Sequence, residues 1–279
     1  MLNDTLQILN KYNIRLNRKK GQNYLVNRNI VLKILDNAKL SWDDTVLEIG
    51  PGLGTLTIPM AAEARKIIAV EQDQRIATVL TKRLNKSGIS NVEVLVADAT
   101  KIDFPGFNKV VSNLPYQISS PITFKILKHD FDFAILMYQL EFAERMVAKP
   151  GDSNYSRLSL MTNYCADVEM LFHVPREDFH PQPRISSAVI KLKPNKKVEV
   201  DNNLINVSRA LFQHKKKKTR NALLDSFHEI AELDQTESKE MVGKLDQEML
   251  DKRVLKLNPD EVLTLSRDIE YLLEINDFK

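Results

Sequence analysis

A single cysteine, Cys165, in 279 residues excludes a disulfide framework. No apolar run approaches the roughly 20 residues needed to cross a bilayer. The opening Met1-Leu2-Asn3-Asp4 lacks the basic-then-apolar order of a signal peptide. His129, His173, His180, His214 and His228 show no metal-ligand spacing, so no metal is expected. There is no internal repeat, and the only low-complexity tract is the lysine run 215–218. These absences point to a reduced, cytoplasmic protein.

What is present is enough apolar mass for a core, 43% hydrophobic against 28% charged residues. The length suits one large domain or two smaller ones. The net charge of +3 hides an asymmetry. Residues 225–279 carry 7 Lys and Arg against 15 Asp and Glu, which leaves 33 against 22 in residues 1–224. A basic body permits a polyanionic partner without identifying one.

Residues 1–25 are polar and basic, with Arg15, Arg18, Lys19 and Lys20 close together. Ile30, Val31, Ile34, Leu35 and Ala38 then recur at helical spacing. Five short apolar runs follow, at 45–49, 66–71, 92–96, 109–112 and 133–137, with an amphipathic stripe of Ile76, Val79, Leu80 and Leu84 between two of them. That alternation predicts βαβ units and a mostly parallel sheet covered on both faces. Two more strands, 168–174 and 187–193, flank a proline-bearing loop and are expected to close the sheet edge as an antiparallel pair. Beyond Pro194 the pattern becomes short helices. One has a legible start, with Asn258 as N-cap, Pro259 in the first helical position and Glu261 completing a capping box. The expected division is an α/β domain over 1–195 and a small helical domain over 196–279.

Gly50-Pro51-Gly52-Leu53-Gly54 follows the first strand and opens a helix. Glycines serve where backbone must approach a ligand or take positive φ. Glu71 ends the next strand, where a carboxylate can accept both hydroxyls of a ribose. The spacing G-x-G-x-G is not the dinucleotide fingerprint G-x-G-x-x-G, and no arginine beside Glu71 awaits a 2′-phosphate. A nucleoside ligand without a pyrophosphate fits better, and S-adenosylmethionine is one. Asp98, ending the third strand, could bond an adenine amino group or simply cap the next segment.

Asn113-Leu114-Pro115-Tyr116 ends the fourth strand, at the ligand edge of a doubly wound sheet. An adenine amino group is a poor nucleophile, because its lone pair is delocalised into the ring. Acceptors placed around its two hydrogens favour methyl transfer by stabilising the charge that develops. The Asn113 side-chain oxygen is one acceptor. The Leu114 carbonyl is another, held because the residue before proline is restricted. Tyr116 offers a ring for a base taken out of its helix. The bland alternative is a proline turn with a surface tyrosine.

These motifs together resemble the ribosomal RNA adenine dimethyltransferases of the KsgA type, within the seven-strand, Rossmann-like S-adenosylmethionine fold. The resemblance spans nearly the whole chain. It includes Gly21-Gln22-Asn23-Tyr24-Leu25, the glycine loop with Glu48-Ile49, and Asn113 through Pro121. It also includes Phe179-His180-Pro181-Gln182-Pro183 with Ser186-Ser187-Ala188-Val189, and the basic stretch 212–223. It implies that Asn23, Leu25, Gly50, Gly52, Glu71, Asp98 and Asn113 contact the cofactor. It implies that Asn113, Leu114 and Tyr116 position the target adenine, with Phe179 on its other face. The implied substrate is a pair of adjacent adenosines near the 3′ end of small-subunit rRNA in a nearly assembled subunit. Gln117-Ile118-Ser119-Ser120 looks more like archaeal or eukaryotic members than bacterial ones.

Arg209, Lys215, Lys216, Lys217, Lys218 and Arg220 form an acid-free stretch that could hold RNA phosphates or merely solubilise. On a helix, four consecutive lysines would cover every face. The run stands where arginines are expected in part, which keeps charge but loses bidentate geometry. Three competing readings stay open: a large-subunit rRNA adenine methyltransferase of the macrolide-resistance type, a binding or assembly factor on the same fold, and, less favoured, a nicotinamide-dependent oxidoreductase. A monomer is expected.

Overall fold

A computed structural model describes residues 1–14, 23–195 and 198–275. Arg15, Arg18, Lys19, Lys20, Gly21, Gln22, Lys196 and Lys197 lie outside the described residues. The chain divides into two compact units. One comprises Met1–Ala143 with Asp167–Pro194, the other Glu144–Ala166 with Asn195–Lys279.

Among the described residues the first unit has nine strands: β1 (Tyr24–Leu25), β2 (Thr45–Ile49), β3 (Lys66–Glu71), β4 (Val92–Val96), β5 (Lys109–Asn113), β6 (Phe133–Gln139), β7 (Ala166–Val174), β8 (Phe179–His180) and β9 (Ser187–Pro194). Seven form one sheet in the order β4-β3-β2-β5-β6-β9-β7. Pairings from β4 through β6 are parallel, and β9 runs antiparallel to β6. β7 lies at the edge beside β9, where the sequence placed it. β2 is buried along its whole length and β4 is only partly so, as a central and an edge strand should be. β1 and β8 make a separate two-stranded antiparallel pair, with Tyr24 opposite His180 and Leu25 opposite Phe179.

Helices cover the faces through the stripes legible in the sequence. The helix Arg28–Ala38 buries Ile30, Val31, Ile34, Leu35 and Ala38. The helix Gln74–Lys86 buries Ile76, Val79, Leu80 and Leu84, and the Asp73 side chain caps its start by accepting from the Arg75 amide. Among the described residues no helix is long and apolar enough to cross a membrane.

The second unit is helical, with Leu204, Val207, Leu211, Leu223, Val262, Leu265 and Ile269 fully buried. Residues 144–166, which the sequence reading assigned to the first domain, belong to this unit. Tyr155 meets Phe212 edge-on at 5.5 Å, and the Tyr164 hydroxyl donates to the Pro259 carbonyl at 2.5 Å. Such long-range packing leaves no local signal. The capping box of the last helix is present in both directions: Asn258 N–H donates to Glu261 Oε2, and Glu261 N–H to Asn258 Oδ1, each at 2.9 Å.

Candidate active site

The carboxyl ends of β2, β3 and β5, with the loop that follows β4, surround a cavity of about 340 Å³. Parallel sheets place ligands at this edge, because the chain leaves it by loops that diverge to opposite faces. Asn23, Leu25, Gly50, Gly52, Glu71, Asp98, Asn113, Leu114 and Tyr116 all line it. The four motifs read separately from the sequence therefore meet in one place.

The glycine loop turns through positive φ at Gly50 (71°) and Gly52 (56°). A Cβ on Gly52 would come within 2.6 Å of the Tyr24 ring, and one on Gly50 within 3.1 Å of Pro115. The loop is thus threaded between Tyr24 of β1 and Pro115 of Asn113-Leu114-Pro115-Tyr116, with no room for a side chain. Its Gly52 N–H donates to Glu71 Oε2 at 3.3 Å, while Asp73 N–H donates to Oε1 at 2.9 Å. Burial raises the Glu71 carboxyl above its usual range, against the lowering effect of these amides. Each oxygen keeps a lone pair for a ligand hydroxyl.

Asp98 reaches the cavity and also caps a turn. It lines the cavity, and its Oδ1 accepts the Thr100 hydroxyl at 2.7 Å and the Thr100 amide at 3.0 Å, as a turn cap does. Those bonds, with Lys101 at 3.8 Å from Oδ2, hold it below the usual carboxylate range.

Asn113 ends β5, and its Nδ2 donates to the Asn23 carbonyl at 3.4 Å. That contact fixes the amide so that Oδ1 remains an acceptor. Leu114 is buried, and Pro115 leads into a short 3-10 turn, Tyr116–Ile118. Tyr116 is partly buried, and its hydroxyl shares a 2.7 Å hydrogen bond with Ser187 Oγ.

Phe179 does not join this group. Its backbone pairs with Leu25, which turns the ring into the apolar cluster that holds Leu25, Ile30, Val174 and Val189, and it is absent from the cavity wall. The β1–β8 pair is reinforced by Val26 N–H to the Asp178 carbonyl at 2.8 Å and Asn27 Nδ2 to Asp178 Oδ1 at 2.7 Å. Phe179 therefore anchors the segment carrying Asn23 and Leu25 rather than facing the cavity.

One cavity residue escaped the sequence reading as a site residue in its own right. Glu48 lies in β2, 2% exposed, with Oε2 lacking any partner among the described residues. Burial, joined by the nearby charge of Glu71, pushes its carboxyl up to about 8. The available signal was a glutamate in the middle of an otherwise apolar, fully buried strand. Among the described residues, no group of three or more His, Cys, Asp and Glu stands in metal-binding proximity.

The basic stretch lies in the second unit, and it is not helical where the lysines are. The helix Asn202–Gln213 ends at His214, and the run turns before Thr219–Ser226 begins. Lys218 is held there by a β-bridge to Arg253. Most of its charges have internal partners. Arg209 meets Glu229 at 3.2 Å, Lys217 meets Asp225 at 2.5 Å and Lys218 meets Asp251 at 2.9 Å. Lys215 Nζ donates to the Ser153 and Tyr155 carbonyls, both at 3.0 Å, and Arg220 bonds Gln247. Lys216 is exposed.

Comparison with known proteins supplies the context. A family model described as ribosomal RNA adenine dimethylase matches residues 13–257. A protein of Methanothermobacter thermautotrophicus, named probable ribosomal RNA small subunit methyltransferase A, is 51% identical over 269 residues, covering 96% of each chain. One of the same name from Methanosphaera stadtmanae is 47% identical, covering 96% of this chain and 99% of its own. Among solved structures, a dimethyladenosine transferase from Plasmodium falciparum superposes with a TM-score of 0.76 at 31% identity, over 91% of this chain and 98% of its own. The 23S rRNA methyltransferase ErmE superposes with a TM-score of 0.64 at 27% identity, over 88% and 99%.

Proposed function

The chain belongs to the ribosomal RNA adenine dimethylase family and is a small-subunit rRNA methyltransferase, and on that premise we propose that it dimethylates N6 of two adjacent adenosines near the 3′ end of that rRNA, in the immature small subunit, with S-adenosylmethionine as donor. The reading carries with it a cytoplasmic, monomeric enzyme with a role in ribosome biogenesis. The observation that supports it most is the arrival of Asn113-Leu114-Pro115-Tyr116 on the same cavity wall as the glycine loop, Glu71 and Asp98.

The cavity fits such a donor. The side-chain-free approach at Gly52 admits close backbone contact, the Glu71 carboxylate suits ribose hydroxyls, and Asp98 suits an adenine amino group. Glu48, with an orphaned buried oxygen, is a carboxyl that holds its proton at neutral pH and whose ionised form a cationic ligand would favour. When bound, the donor supplies an electrophilic methyl group on a sulfonium. The chain's own residues do the rest. Asn113 Oδ1 and the Leu114 carbonyl accept the two N6 hydrogens and draw the nitrogen out of conjugation. Positive charge growing on that nitrogen is met by acceptors already in place, so no reorganisation is needed. Tyr116 supplies a stacking face to the extruded base. The methylated nitrogen then sheds a proton to solvent, and no residue need act as general base.

The test is methyl transfer from labelled S-adenosylmethionine to undermethylated small subunits, large subunits and naked rRNA, with the product digested to nucleosides. N6,N6-dimethyladenosine from small subunits is the expected product. Label on large subunits instead would overturn the substrate assignment.

The basic turn is proposed to hold rRNA phosphates. Replacing Lys216, Lys217 and Lys218 together by Ala should weaken RNA binding roughly 10- to 100-fold and lower the salt slope by about 2 to 3. Cofactor affinity should not change. Lys215 is left in place because it bonds two backbone carbonyls of its own unit. An RNA affinity equal to the parent's, at each of several salt concentrations, would remove these lysines from the interface.

A further inference from the structure

The bond between Tyr116 and Ser187 has no part in the chemistry derived so far. It joins residues 71 apart in sequence at 2.7 Å. Ser187 is fully buried. It is the first residue of β9 and stands opposite Gln139, the last residue of β6. Because β9 runs antiparallel to the strands before it, its beginning lies at the edge where those strands end. The same edge carries Asn113, opposite Met137 one pair of residues further back along β6. A serine read from sequence only as the start of the strand 187–193 and as part of a family resemblance is thereby brought to the tyrosine of Asn113-Leu114-Pro115-Tyr116.

The chemistry of the pair is specific. A tyrosine needs no hydroxyl to stack on a base, since phenylalanine offers the same face. The hydroxyl here is instead used at the far end of the ring, where a hydrogen bond to Ser187 resists rotation about the first side-chain torsion and so fixes where the ring axis points. Breaking it strands a hydroxyl on fully buried Ser187, which costs more than the bond itself contributes. The backbone side of the ring is also held, since Ile118 N–H donates to the Pro115 carbonyl at 3.1 Å and closes the turn. The ring is thus held at both ends, on the wall of the cavity.

We propose that Ser187 is a positioning residue for methyl transfer, holding the axis of the Tyr116 ring where the ring can meet the target adenine. The inference rests on the reading of Tyr116 as the stacking platform. Its energetic basis is preorganisation: a ring already fixed in the productive orientation pays nothing to become so when the base arrives. Loss of the tether should act on the bound complex. It should lower kcat and leave KM for the small subunit and cofactor affinity unchanged.

The experiment compares Ser187→Ala, Ser187→Thr, Tyr116→Phe, the double variant Ser187→Ala/Tyr116→Phe, and Tyr116→Ala, each assayed for methyl transfer to small subunits and for cofactor binding. Ser187→Ala and Tyr116→Phe should each lower kcat roughly five- to tenfold, the range of one hydrogen bond. The double variant should be no worse than either single one, because both remove the same bond. Ser187→Thr keeps a hydroxyl and should recover most of the rate. A purely structural serine would move the unfolding transition and cofactor affinity instead, and its effect would multiply with that of Tyr116→Phe. That multiplication, or parental kcat in Ser187→Ala, overturns the tether. If Tyr116→Ala is itself fully active, the stacking reading fails and the tether with it. If Tyr116→Ala is inactive while Ser187→Ala is unaffected, the stacking reading stands and only the tether falls.

Discussion

Asn113→Ala should lower the rate of methyl transfer roughly 100- to 1000-fold, the range seen when one preorganised partner of a developing charge is removed. The argument is geometric. Asn113 is fixed at the end of a parallel strand, and its Nδ2 is engaged by the Asn23 carbonyl. Its Oδ1 is therefore held as an acceptor before any base arrives. Alanine removes the acceptor and leaves the Leu114 carbonyl alone to hold two N–H groups. Cofactor affinity should fall far less, because Glu71, Asp98 and the glycine loop are untouched. Single-turnover transfer from labelled donor, beside cofactor binding by calorimetry, separates the two effects. Near-parental turnover would mean that the N6 acceptor lies elsewhere on the cavity wall.

The second large effect concerns stability and pH. Burial pushes the Glu48 carboxyl up to about 8 from its ordinary value of 4.5. Between those values the folded chain holds a proton that the unfolded chain has lost. Stability must therefore fall as pH rises through this window, and the full contribution is present only below about 4.5. At pH 7 the penalty is on the order of 3 kcal/mol. Glu48→Gln has no proton to hold, so it should be more stable than the parent at pH 7 to 8 and close to it at pH 4.5. Urea unfolding of parent and variant across that range measures the difference. Parallel pH profiles for the two proteins would show that Glu48 ionises normally.

Much of the fold was legible because the periods are strong. The stripe at Ile30, Val31, Ile34, Leu35 and Ala38 and the runs ending at Glu71 and Asn113 are local signals, and each became the element it suggested. The site was legible for the same reason: strand ends in a parallel sheet share one edge. What was hidden depends on tertiary placement. β1 is two residues long, too short to show a period, and its pairing partner lies more than 150 residues away. That pairing turns Phe179 inward, which no reading of Phe179-His180-Pro181 alone would reveal. The lysine run carries no local signal for how its backbone turns. Its turn is set instead by backbone contacts with Arg253 and Lys252. Glu48 was visible as a letter in a glycine motif, but its isolation is a property of the packed sheet.

The internal pairs of the basic turn carry a consequence of their own. Lys217 and Lys218 already lie against Asp225 and Asp251, whose carboxyls are held below their usual range by these same lysines. An incoming anion at this surface competes with two resident ones. A single phosphate in solution gains little by such an exchange. On the proposed phosphate-binding reading, a strand that presents several phosphates at fixed spacing would engage Lys216 first and then displace the carboxylates one after another, each step made local by the last. On that reading the aspartates would set a threshold, blunting attraction to scattered anions and favouring a dense, ordered polyanion.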